Sequence, residues 1–63
     1  MVISIKDFME QFDFSENAIN ELKQRSFNKK TNRYKKCSIT IYRGKVKYCG
    51  NWKIDFNEGI CWL

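Results

Sequence analysis

Three cysteines, Cys37, Cys49 and Cys61, stand twelve residues apart in a chain of 63 residues. Thiolates at regular spacing can hold structural zinc, but such sites use close Cys-x-x-Cys pairs or cysteine combined with histidine. This chain has no histidine and no such pair. An odd number of cysteines without secretory features favours reduced thiols, so no metal and no cofactor are expected. A catalytic set is also missing. There is no glycine-rich phosphate cradle and no evident pairing among the seven carboxylates, and an enzyme is not expected.

The strongest chemical signal is the division of charge. Up to residue 22, Lys6 stands against Asp7, Glu10, Asp13, Glu16 and Glu21. Residues 23–53 then carry Lys23, Arg25, Lys29, Lys30, Arg33, Lys35, Lys36, Arg43, Lys45, Lys47 and Lys53 without one acid. Eleven uncompensated cations in 31 positions attract a polyanion, and phosphate backbones are the common one.

A chain this short forms one domain, buries only about 60% of its unfolded surface and has no room for a deep cleft. Its hydrophobic fraction of 43% and ten aromatics still suffice for a core. No apolar run approaches the length of a membrane span, and charge enters early in "MVISIKDFMEQF". No membrane association and no signal peptide are therefore expected, and a cytoplasmic setting is.

Periodicity then places the elements. Ser4 can cap a first helix carrying Ile5, Phe8, Met9 and Phe12 at helical spacing, with Asp7 in capping-box relation. Val2 and Ile3 can form a short strand before it. Asp13 and Phe14 interrupt the helix, Ser15 caps a second one lined by Ala18, Ile19 and Leu22, and this ends near residues 25–27. "NKKTNRYKK" reads as a loop or ragged strand entry. From residue 37 the period becomes two, which predicts a hairpin about Gly44 with Ile41 opposite Val46 and Ile39 opposite Tyr48. A second turn at Cys49, Gly50 and Asn51 would set Tyr48 against Trp52 and Val46 against Ile54. Both tryptophans are expected in the core, and "NEGICWL" closes the chain as a strand or helical tail.

The expected fold is therefore α+β: a winged helix-turn-helix, with two N-terminal helices within residues 1–27 followed by a three-stranded antiparallel meander within residues 37–63. "SIKDFMEQFDFSENAINELKQR" resembles the opening of excisionase and MerR-type DNA-binding domains, whose pattern I-x-E-x-A-x-x-x-G-V-S-x-x-T-I-x-x-L is met by Ile5, Asp7, Ser15, Ile19 and Leu22. Phe14 replaces the valine, Met9 the alanine and Asp13 the turn glycine. "GNWKIDFNEGICWL" resembles the close of such domains, G-x-W-R-I-x-x-x-E-x-I-x-x-W-L, with Lys53 for the arginine. The resemblance implies a small, often phage- or mobile-element-encoded protein that binds specific double-stranded DNA. It would serve as an excisionase, that is, a recombination directionality factor, or as a transcription regulator, in a bacterial or phage-infected cell. An integrase, RNA polymerase or another host protein would be the accompanying partner.

The candidate DNA contacts follow. On the second helix, Asn17, Asn20, Lys23 and Gln24 lie opposite the apolar face, where amides can pair with adenine. Lys29, Lys30, Arg33, Lys35 and Lys36 in the loop, and Arg43, Lys45 and Lys47 in the wing, suit phosphate contact. Tyr34 and Tyr42 could stack on unpaired bases, which keeps RNA or single-stranded DNA open as an alternative. A small protein that binds and inhibits a host protein through Asp13, Glu16 and Glu21 is a further one.

Overall fold

In a computed structural model, residues 1–42 and 49–63 of the chain are described. In chain order they form β1 (Val2–Ser4), α1 (Ile5–Phe12), α2 (Glu16–Ser26), β2 (Phe27–Asn28), β3 (Arg33–Tyr34), β4 (Cys37–Ile41), β5 (Gly50–Asp55) and β6 (Ile60–Trp62). None of these helices is long and apolar enough to cross a membrane.

The helices begin and end where their side chains dictate. Ser4 Oγ accepts the Asp7 N–H at 3.1 Å, and Ser15 Oγ accepts that of Ala18 at 3.1 Å, so each helix is capped by a serine. Between them Asp13 adopts the left-handed conformation, with φ 53°, and the next amide, Phe14 N–H, donates to the Met9 carbonyl at 2.9 Å. Aspartate tolerates this geometry better than most residues, which is why glycine can be dispensed with here. Helix α2 has Glu16 in its first turn and Lys23 and Arg25 in its last, matching the helix dipole at both ends.

The sheet departs from the expected winged helix-turn-helix. Four strands pair antiparallel in the order β1-β6-β5-β4, while β2 and β3 form a separate two-stranded ribbon. The strand that precedes the helices is therefore part of the same sheet as the C-terminal strand, with Val2 opposite Trp62 and Ser4 opposite Ile60. Helices followed by a three-stranded meander is thus corrected on two points: the sheet draws on both ends of the chain, and the ribbon stands between helices and sheet.

The meander's register is corrected as well. Ile39 faces Trp52 and Cys37 faces Ile54, so β4 pairs directly with β5. Ile54 has Cys61 on its other side, which leaves no edge for Val46. Val46, Tyr48 and the Gly44 turn themselves lie outside the described residues. The alternation of apolar residues determines which face each residue takes, and does not choose the partner strand.

The register gives the sheet two unlike faces. Cys37, Ile39, Ile41, Trp52, Ile54 and Cys61 point toward the helices, and Phe8 and Ile19 meet them from α1 and α2. Phe8 lies with its ring centroid 4.9 Å from Phe12, 5.5 Å from Phe14 and 5.5 Å from Trp52, in tilted and edge-on arrangements that add to the burial energy. The opposite face is polar at Ser38, Thr40, Asn51 and Lys53, with Thr40 Oγ1 donating to Asn51 Oδ1 at 2.6 Å. Trp62 belongs to this outer face and is only half-buried, contrary to the expectation that both tryptophans are core.

Two outcomes test this core. Phe8→Ala, which empties the centre of the aromatic cluster, should cost about 3–5 kcal/mol in a denaturant titration, enough to unfold most of the population of so small a domain. Burial, and secondarily the neighbouring Cys37, push the Cys61 thiol up from its usual 9.0 to about 11. The neutral thiol is thus favoured by folding. Its contribution should be intact below pH 9 and lost between pH 9 and 11, as the unfolded chain ionises first; Cys61→Ala should shrink that alkaline loss.

Candidate nucleic-acid interface

The segment between α2 and the sheet turns sharply because its polar side chains bond to nearby backbone. Ser26 is buried, and its hydroxyl donates back to the Leu22 carbonyl at 2.8 Å as the helix ends. Phe27 then faces Tyr34 across the ribbon, and Asn28 faces Arg33. At the tip, Asn28 Oδ1 accepts the Lys30 N–H at 3.0 Å, and Asn32 sits at φ 56°, conformations that asparagine favours. The ribbon closes with Lys35 N–H donating to the Ser26 carbonyl at 2.7 Å.

A ribbon of two residues per strand is marginal alone, so its position depends on what grips it. That grip is Asn57, in the turn between β5 and β6. Its Oδ1 accepts the Tyr34 N–H at 3.0 Å and its Nδ2 donates to the Tyr34 carbonyl at 2.7 Å, so one side-chain amide reproduces the pairing of a neighbouring strand. Asn57 is itself held by Asp55, a buried carboxylate whose Oδ1 accepts the amides of Asn57 at 2.9 Å and Glu58 at 3.3 Å. The turn ends at Gly59, at φ 73°, whose N–H donates to the Asp55 carbonyl and whose carbonyl receives the Ile5 N–H at the start of α1. Tyr34 also packs at 5.1 Å from Phe27 and 6.0 Å from Phe56.

Held in this way, the ribbon and the second half of α2 enclose two adjoining depressions. The first, of about 340 Å³, is lined by Asn20, Lys23, Gln24, Phe27 and Tyr34. The second, also of about 340 Å³, is lined by Arg25, Phe27, Asn28, Lys29, Lys30 and Lys35. Phe27 is common to both, and neither has an acidic lining residue. A third depression, between the end of α1 and β4, contrasts with them: its lining is mainly apolar and its one charged residue is Asp13.

The candidate residues therefore separate. Asn20, Lys23 and Gln24 converge on the ribbon, and Lys29, Lys30 and Lys35 join them around Phe27. Asn17 is exposed on α2 but lines neither depression, and Arg33 is exposed on β3. Lys36 is turned away, its ammonium 5.6 Å from the Trp62 ring on the outer face of the sheet. Arg43, Lys45 and Lys47 lie outside the described residues, and so does any contact of theirs. Sequence reasoning missed Phe27 and Asn57, and counted Arg25 among the cations without placing it among the candidate contacts. Phe27 stood at a helix end read only as a boundary, and Asn57 acts over 23 residues of separation, which no local pattern reports.

Replacing Asn57 by alanine removes both bonds to Tyr34. At roughly 1 kcal/mol each, hydrogen exchange at the Tyr34 and Lys35 amides should quicken by about tenfold or more while the core amides of β5 are unchanged. Equal exchange in both proteins would show that the ribbon is held by other means. Comparison with protein-family models, with curated proteins and with solved structures found no match for this chain.

Proposed function

We propose that this protein binds double-stranded DNA with the second half of α2 and the β2–β3 ribbon. The observation that carries the reading is the convergence of Lys23, Arg25, Lys29, Lys30 and Lys35 with Asn20 and Gln24 around two joined depressions that no acid lines. Such a surface divides the work of recognition. The cations, with Arg33 beside them, contact phosphates and supply sequence-independent affinity, while the two amides on α2 are of the type that pairs with base edges. The acids of α2, Glu16 and Glu21, line neither depression.

The finer role is supported by the sequence resemblance to excisionase and MerR-type DNA-binding domains in "SIKDFMEQFDFSENAINELKQR" and "GNWKIDFNEGICWL". On that basis the protein acts in recombination directionality or in transcription control, beside an integrase, RNA polymerase or other host protein.

If six phosphates are neutralised, the logarithm of affinity for a duplex should fall against the logarithm of salt with a slope of about −5. The triple variant Lys29→Ala, Lys30→Ala, Lys35→Ala should reduce that slope by about 3 and weaken all sequences alike. Asn20→Ala should instead change sequence preference at nearly constant slope. An affinity indifferent to salt, or no duplex binding at low salt, would contradict the proposal.

A further inference from the structure

The two depressions around Phe27 are not chemically equivalent. One offers a half-buried tyrosine ring and two exposed side-chain amides, Asn20 and Gln24; the other offers Arg25, Lys29, Lys30 and Lys35 with the Asn28 amide. A DNA contacted only along its phosphates needs the second kind of surface and has no use for the first. A nucleotide needs both: a flat π surface with amides at its margin for the base, and cations alongside for the phosphates.

We infer that the depression between Asn20, Lys23, Gln24, Phe27 and Tyr34 receives a single unpaired nucleobase of a DNA duplex while the adjoining cationic depression holds the flanking phosphates. This deepens the DNA-binding reading above and rests on it. Tyr34 is suited to the task because its backbone is fixed on both sides by Asn57 and its ring is braced by Phe27 and Phe56, so the π face is in place before the base arrives. Lys23 covers that face, its ammonium 5.5 Å from the ring centroid. On its flexible stem it can move aside to a phosphate as the base takes its place, exchanging one charge interaction for another. Asn20 and Gln24 can each donate to and accept from the base edge. A base that is already unpaired enters most readily, because no stacking or pairing has to be broken.

Three hairpin duplexes of one sequence test this: fully paired, with a single bulged adenine, and with an abasic bulge at the same position. The natural protein should bind the adenine bulge about tenfold more tightly than either of the others, since aromatic stacking of one base is worth about that factor. Tyr34→Leu keeps an apolar side chain against Phe27 and Phe56 but removes the π face. It should abolish the preference for the adenine bulge, and a cooperative thermal unfolding transition reports that the variant is folded. Equal binding of all three hairpins would overturn the inference and leave duplex binding standing. So would equal binding of the adenine and abasic bulges, which would mean that backbone flexibility is what is recognised, or a preference that persists in Tyr34→Leu. Failure to bind any of the three would overturn the DNA-binding reading itself.

Discussion

The contact between Phe8 and Trp52 is the constraint on which the rest of this structure depends. A chain of 63 residues has few large side chains to spare, and these two are fully buried, one on the first helix and one on an interior strand of the sheet. Their edge-on packing, at 5.5 Å between centroids, joins the helical layer to the sheet. Phe12 and Phe14 complete the cluster from either side of the left-handed residue Asp13, so the tight turn between the helices is shaped by the aromatic residues that flank it. Once α1 is fixed on the sheet, the direction of α2 follows, and with it the place where the chain must leave the helix and begin the ribbon.

The ribbon is connected to that core by a chain of polar contacts, and this separates two kinds of order in the molecule. Asp55 ends strand β5 as a buried carboxylate and shapes the turn; Asn57 in the turn pairs with the backbone of Tyr34; Tyr34 sets Phe27. Apolar packing thus gives the position of the sheet, and a short series of directional hydrogen bonds transfers that position to a surface ribbon whose turn and exit carry lysines. Without such a transfer the cations of residues 23–36 would be dispersed in solvent. With it, five of them and two amides of α2 share one concave surface.

Much of the local structure was legible in the residues. Ser4 and Ser15 as caps, Asp13 as the left-handed residue and Val2 and Ile3 as a strand all follow from chemistry within a few positions, and the structure has each of them. The pairing of strands was not legible. Cys37, Ile39 and Ile41 alternate correctly, yet alternation gives each residue its face and not its partner strand, which in the described residues is β5. Trp62 shows the same limit, since its spacing from Ile60 gives it a strand position but its facing is set by Val2 and Lys53 across the sheet. For the candidate site, the cations and the α2 amides could be named from composition and helical spacing. The aromatic partition at Phe27 and the hold of Asn57 on Tyr34 are properties of the folded chain only.

The most direct measurement of the central claim is a map of backbone amide shifts on titrating a short duplex into the labelled protein at low salt. Binding through the surface described here should perturb Asn20 to Phe27 in α2 and at its end, and the ribbon from Asn28 to Lys35, leaving Ser38, Thr40, Asn51 and Lys53 on the outer face of the sheet unmoved. Shifts concentrated on that outer face, or none on the ribbon, would contradict it.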